Sequence, residues 1–318
     1  MKIRHILFSL PLLTVACSNG FVIPDPVPGG KQPEEQQEEG DTPEMPGIPD
    51  EPEKLVEGML RADGNDADTY QLILERGYNY ETPDESGAHA GAPFRHIKQS
   101  YDATLKKPVF DFYLHILNDD DRGKANITDR QRNEIKTDAK SPASMVAQKG
   151  ETLRITWKFR LPEGFQTTTK FAHIHQLKGI DNAEGNADVS MPLITFTCRS
   201  LSNGKQQFQV IYTAPSSENS TNTYIARADL ADFLGEWVTV CETVKFDDQG
   251  SYSVLVYRVR DGKLLAEVKG KSLNLWREGT TGLRPKWGLY RNFGEGRSLA
   301  PQLRDEVLKF ADFRIEKL

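Results

Sequence analysis

Three short segments carry residue types that can do chemistry together. In Asp129-Arg-Gln-Arg-Asn-Glu-Ile-Lys136, an extended backbone sends Arg130, Arg132, Glu134 and Lys136 to one face, because side chains alternate along a strand. Three cations oriented by one acid form a receptor for anionic groups, and arginine can grip a carboxylate with two parallel bonds. A solvated outer face with a Glu–Arg pair is the competing reading. In Phe171-Ala-His-Ile-His-Gln-Leu-Lys178, strict alternation puts His173 and His175 on one face and Gln176 and Lys178 on the other. Paired histidines at that spacing suit proton transfer. They also suit a metal, but zinc needs a third and usually a fourth ligand, which no nearby spacing supplies; no metal centre is expected. In Lys286-Trp-Gly-Leu-Tyr-Arg-Asn292, Lys286, Gly288, Tyr290 and Asn292 share a face, and a glycine there would leave open space for a sugar ring.

Further polar residues stand nearby in sequence. His115 falls on the run Val109–Ile116 with Asp111 and Tyr113 on its face, and is the alternative proton acceptor to His175. His96 precedes that run and is placed at a subsite. Asn118-Asp-Asp-Asp121 is oxygen-rich, a composition that suits a structural calcium and also a plain polar turn.

The elements that must position these groups are strands. Short alternating runs recur at 109–116, 153–160, 207–212, 237–244, 252–259 and 310–315, with turn residues at Asp247–Gly250 and Arg260–Gly262. Arg227–Gly235 reads as a short helix, Tyr70–Leu74 as a strand and Glu81–Pro93 as loop. Many strands and scarcely any helix imply an all-β fold of two packed antiparallel sheets, a sandwich or jelly roll. One domain is expected over 56–318.

Taken in order, the three segments resemble motifs of the jelly-roll alginate lyase family. Arg132-Asn-Glu-Ile-Lys136 is similar to its Arg-Ser/Thr-Glu-Leu-Arg, with Lys for the last Arg. His173-Ile-His175 is similar to its Gln-Ile-His, with His for Gln. Lys286-Trp-Gly-Leu-Tyr290, followed by Arg291-Asn292, is similar to its Tyr-Phe-Lys-Ala-Gly-x-Tyr-x-Gln, with Arg284-Pro285 for Tyr-Phe. The resemblance spans residues 100–318, and its departures point toward the glucuronan or heparin lyases of the same fold. It implies a concanavalin-like β-jelly roll with a concave groove, and β-elimination of a uronic-acid-containing polysaccharide with no required cofactor. Arg132 and His173 would neutralise the uronate carboxylate, while His175 and Tyr290 would handle protons. Arg130, Glu134, Lys136, His115, Lys286, Asn292 and His96 would contact the acidic polysaccharide. The chemistry is coherent: the C5 proton beside a carboxylate is barely acidic until that charge is offset. A neutral His, or a Tyr whose pKa nearby cations lower, can then take it. A glycan-binding protein without turnover is the other reading on this scaffold. Hydrolysis needs two carboxylates roughly 5 to 9 Å apart, and Glu134 is the only acid on these faces.

The chain has 318 residues, 37% hydrophobic and 27% charged, with a net charge of −6. That composition excludes disorder throughout and gives no basis for nucleic-acid binding. The charge is unevenly spread. Lys2 and Arg4 make the leader positive; ten acids against Lys31 and Lys54 give 18–55 a charge of −8; residues 56–318 are then neutral. Residues 1–17 read as an export signal, and Thr14-Val15-Ala16-Cys17 resembles the lipobox of bacterial lipoproteins, which implies acylation of Cys17. Residues 18–55 hold eight prolines and almost no apolar side chains, the composition of an extended tether. The expectation is a monomer held at the bacterial cell envelope by its lipid alone, on the outer surface or the periplasmic side. Whether Cys198 and Cys241 pair is open from sequence.

Overall fold

A computed structural model describes residues 44–50, 52, 54–85, 94–122, 127–216 and 222–318. The export signal, Cys17, most of the tether and residues 86–93 of the expected loop lie outside them. Residues Thr42–Leu318 form one compact unit.

Among the described residues, fifteen strands build two antiparallel sheets. They are β1 (Met59–Leu60), β2 (Asn79–Glu81), β3 (Ile97–Asp102), β4 (Lys107–Leu114), β5 (Arg130–Lys136), β6 (Thr152–Arg160), β7 (Ala172–Ile180) and β8 (Ile194–Ser200). The rest are β9 (Gln206–Thr213), β10 (Asn222–Asp229), β11 (Trp237–Lys245), β12 (Gly250–Arg258), β13 (Leu264–Leu273), β14 (Gly282–Asn292) and β15 (Glu306–Lys317). The first sheet runs β13-β12-β11-β6-β15-β4-β3, with β1 on β15; the second runs β10-β9-β8-β7-β14-β5-β2. This is the two-layer jelly roll that the alternation implied.

Alternation makes the core. Along β6 every second residue is buried, so Leu153, Ile155, Trp157 and Phe159 face inward. From the second sheet Ile135, Ile174, Leu177, Phe196, Phe208, Trp287 and Leu289 join them in one cluster. Each such side chain contributes about 1.5–3 kcal/mol by leaving water.

Some local expectations are corrected. Tyr70–Leu74 is not a strand: helix α1 spans Thr69–Glu75, and Thr69 and Ile73, four apart, bury one helical face. Arg227–Gly235 is not a helix: β10 continues to Asp229, and only one turn, Leu230–Asp232, follows, with Asp229 accepting from Ala231 N at 3.0 Å. β4 ends at Leu114, before His115. The end of the tether lies against the domain, where Tyr257 donates to the Pro46 carbonyl at 3.2 Å and Arg314 to that of Asp50 at 3.3 Å. Cys198 and Cys241 are free, buried thiols on different sheets. Burial raises both, Cys241 to about 11.

Candidate active site

The three segments become β5, β14 and β7, adjacent in the second sheet, and their outer faces join. Tyr290 sits opposite Arg132 on one side and His173 on the other; His173 in turn sits opposite Thr197 of β8. One row across four strands therefore reads Arg132, Tyr290, His173, Thr197.

The next row explains the main departure from strict alternation. Trp287, His175 and Phe196 are paired there. Between the two rows β8 advances one residue, β7 two and β14 three, so the sheet carries bulges at this point. The bulge flips the side-chain sequence along β7. His173 and Gln176 point outward, while Ile174, His175 and Leu177 are enclosed.

His175 is thus not a groove histidine. It is fully buried, with ring centroids 5.2 Å from Trp157, 5.1 Å from Phe196 and 5.5 Å from Trp287. Its Nε2 lies 3.1 Å from Glu242 Oε1, a carboxylate that also accepts from Tyr252 at 2.7 Å and Trp157 Nε1 at 3.3 Å. Gln176, assigned by alternation to the other face, donates to Glu134 on the outer face. Lys178 is outward too, opposite Arg284 and within the field of Lys286 and Arg132.

Gly288 does not open space for a sugar. Its φ is +143°, and a Cβ there would meet the Asn133 carbonyl oxygen at 2.0 Å and Glu134 Cα at 2.7 Å. The glycine permits β14 to approach β5, which sets Tyr290 beside Arg132.

The outer face is buried by its own ion pairs. Glu81 arrives from β2 at the sheet edge and takes Lys286 at 2.6 Å, Arg132 at 2.9 Å and Lys136 at 2.9 Å. Burial alone would raise the Glu81 carboxyl, but Lys286, Arg132, Lys136 and Arg122 hold it well below the carboxylate range. Glu134 takes Arg132 and Lys286, each at 2.9 Å. Arg132 also holds Asp121 with two bonds, 2.9 and 3.2 Å. Four of its five N–H donors are therefore engaged by protein acids. Most of the charge that the resemblance assigned to a uronate is thus taken up by protein acids, and the guanidinium stacks 3.7 Å over the Tyr290 ring. Burial pulls Lys286 down to about 8, against Glu134 and Glu81, and pulls Lys178 down to about 7, with Lys286 and Arg132 adding to the fall.

Beside Lys178, two further half-buried groups of this face are of types that can move a proton. Tyr290 is half-buried, and Arg130 donates to its oxygen at 3.0 Å. Burial raises the Tyr290 phenol despite the opposing Arg132 and Arg130, the reverse of the lowering expected from sequence, so it rests protonated. His173 is half-buried, stacked on Phe171 at 4.3 Å, with its ring centroid 6.1 Å from that of Tyr290. Burial first, then Arg199, Arg132, Lys178 and Arg130, push its pKa well below the usual histidine value, so it rests neutral. His173 Nδ1 bonds Thr197 Oγ1 at 2.8 Å, and among the described residues Nε2 has no hydrogen-bond partner. With Nδ1 donating to Thr197, Nε2 carries the open lone pair. Arg130 is held by both oxygens of Asp129 at 2.7 and 2.8 Å, and Asn292 also donates to Asp129.

His96 and His115 do not join this face. Asp111, on the same side of β4 as Tyr113, pairs with Lys309 at 2.7 Å on the first sheet's outer surface. His96 is fully buried between Asp84 and Asp119, and His115 bonds Asp119 at 3.1 Å. Their backbone meets the opposite side of β5, where the His96 carbonyl accepts from Asn133 Nδ2 at 2.8 Å and the His115 carbonyl from Gln131 Nε2 at 3.0 Å. The Asn118–Asp121 turn divides its acids: Asp119 faces the two histidines and Asp121 faces Arg132 and Arg122.

Sequence reading missed Glu81 and Thr197, set Gln176 and Lys178 on the other face, and read Asp121 only as part of an oxygen-rich turn. The alternation Ile194-Thr-Phe-Thr-Cys198 held the signal for Thr197. Nothing local marks Glu81, whose partners lie 41 to 205 residues away.

No curated protein matches the chain in sequence. Among solved structures, an endo-β-1,4-glucuronan lyase from the fungus Trichoderma reesei is similar, with TM-score 0.52 and 14% identity over 81% of this chain and 94% of its own. An alginate lyase from Aplysia kurodai is similar with TM-score 0.51 and 11% identity over 83% of this chain and 100% of its own. These likenesses show a shared fold. The sequence profile described as "Polysaccharide lyase" matches residues 96–307, which contain β5, β7 and β14 entire, and on that match this chain belongs to the polysaccharide lyase family and is an enzyme acting on polysaccharides.

Proposed function

We propose that the enzyme cleaves a uronic-acid-containing polysaccharide by β-elimination, with His173 as base and Tyr290 as acid. The observation that carries this is the pair itself: a neutral imidazole and a protonated phenol side by side on an outer sheet face, amid cations. His173 Nε2 takes the C5 proton. The electron pair left behind forms the C4=C5 double bond, the C4–O4 bond breaks, and Tyr290 gives its proton to O4. Arg130, at 3.0 Å, and Arg132, stacked at 3.7 Å, stabilise the phenolate as it forms. Arg199 and Arg130 supply positive field for the substrate carboxylate, while Arg132 positions Tyr290. This chemistry uses side chains alone. The similar Trichoderma and Aplysia proteins, a glucuronan lyase and an alginate lyase, agree with a uronate polymer.

A hydrolase reading weakens further. Glu81 does supply a second acid beside Glu134, yet glycoside hydrolysis needs one protonated carboxyl, and Glu81 is locked ionised by four cations.

The reading includes a place for the enzyme: acylated at Cys17, tethered by the Pro- and Glu-rich segment, and working at the bacterial cell envelope. The leader and tether compositions support it.

The test is the ultraviolet absorbance of the new double bond on a panel of uronate polymers. Wild type raises it on at least one polymer; Tyr290→Phe, which keeps the ring under Arg132, lowers the rate about 100-fold or more. Full activity in Tyr290→Phe overturns the assignment.

A further inference from the structure

Outside the lyase face, the segment before β3 and the turn after β4 meet in a cluster of two imidazoles and two carboxylates. His96 Nδ1 faces Asp84 Oδ1, and His96 Nε2 faces Asp119 Oδ1 at 3.0 Å. The second oxygen of Asp119 faces His115 Nδ1 at 3.1 Å. Phe94 packs on both rings, with centroids 4.8 and 4.9 Å away. His96, Asp84 and Asp119 are buried, while the His115 side chain keeps 22% of its surface exposed.

Valence makes this cluster unusual. A neutral imidazole has one N–H and one lone pair, yet both nitrogens of the buried His96 face carboxylate oxygens. The arrangement needs one additional positive charge between His96 and Asp119, either a proton or a metal ion. The second carboxylate is placed as metal sites place it. A ligating histidine turns its far N–H to an acid that fixes its tautomer, and Asp84 stands at that nitrogen.

We propose that His96 Nε2, His115 Nδ1 and the Asp119 carboxylate bind a divalent transition metal of the zinc class, with Asp84 holding His96 from outside. The three ligand atoms lie within 4.8 Å of one another. Tetrahedral zinc with bonds of about 2.0–2.2 Å sets ligand atoms about 3.3–3.5 Å apart. His96 Nε2 lies 3.0 Å from Asp119 Oδ1 and His115 Nδ1 lies 3.1 Å from Oδ2, so the carboxylate turns one oxygen to each imidazole, and the two imidazoles close the shell by moving together from a separation of at most 4.8 Å. Two imidazoles and one carboxylate suit zinc or cobalt over calcium, which prefers six to eight oxygens. The partial exposure of His115 leaves a route in and a position for water. The ion is structural: it pins the 94–96 segment to the turn whose Asp121 holds Arg132.

The test uses the full chain after chelation and dialysis. Titration with zinc chloride, followed by calorimetry, should show one zinc per chain and a raised melting temperature. Cobalt should give the visible ligand-field bands of a four- or five-coordinate nitrogen–oxygen site. His115→Ala, at the exposed ligand, should abolish both signals, and Asp84→Asn should weaken binding about 10–100-fold. No zinc uptake by wild type, the same isotherm for wild type and His115→Ala, or tighter binding of calcium than zinc each overturns the site. If His115→Ala does not fold, the wild-type stoichiometry and cobalt spectrum decide: their absence means that a proton alone balances Asp119.

Discussion

His173 and His175 are two residues apart and look equivalent in sequence, so exchanging their fates in an experiment tests the structure sharply. His175→Ala removes a ring enclosed by Trp157, Phe196 and Trp287 and leaves Glu242 without its imidazole neighbour. Emptying an aromatic-sized site in a core costs about 3–5 kcal/mol. For a domain of this size each kcal/mol lowers the melting temperature by about 2–4 °C, so a fall of roughly 6–20 °C is expected. His173→Gln keeps a polar side chain at a half-buried position and should move the melting temperature by no more than about 2 °C, since surface changes stay within about 0.5 kcal/mol. Its loss should be catalytic, about 100-fold to 10,000-fold in turnover, the share a positioned base supplies. Differential scanning calorimetry and initial rates on the same preparations read both quantities. A His175→Ala protein with unchanged melting and no activity, or a fully active His173→Gln, would refute the bulged register and the choice of base with it.

Two further outcomes follow from the same electrostatics. Activity should fall as acid protonates His173, with that limb below the ordinary histidine range because its pKa is pushed down, and fall again in base as Tyr290 ionises, above the ordinary tyrosine range because its pKa is pushed up; a pH–rate profile checks both limbs. Glu81→Gln leaves Lys286, Arg132 and Lys136 short of a buried counter-charge and should destabilise the fold by about 3–5 kcal/mol, measured by urea denaturation at neutral pH. A change below about 1 kcal/mol would show that Glu134 and Asp121 suffice.

The strands were legible because alternation is local. A run such as Leu153–Arg160 must bury one side, and the two packed layers follow from many such runs. The outward groups of β5 and β14 were legible for the same reason, so Arg130, Arg132, Glu134, Lys136, Lys286, Tyr290 and Asn292 lie where their parity puts them. Parity failed at His175, because a bulge depends on how many residues the neighbouring strands place alongside, which no single strand records. It failed at His96 and His115 because neither lies within a strand, and β3 and β4 turned out to belong to the other sheet.

The charges divide the same way. Residue types alone pointed to three segments able to handle anions and protons. Which cation is spare, which acid is paired and which way each pKa moves depended on burial and on partners far along the chain, Glu81 to Lys286 above all. Alternation is enforced by each strand's own covalent geometry. Electrostatic state is a property of the dielectric and the neighbours, and only the packed tertiary structure supplies those.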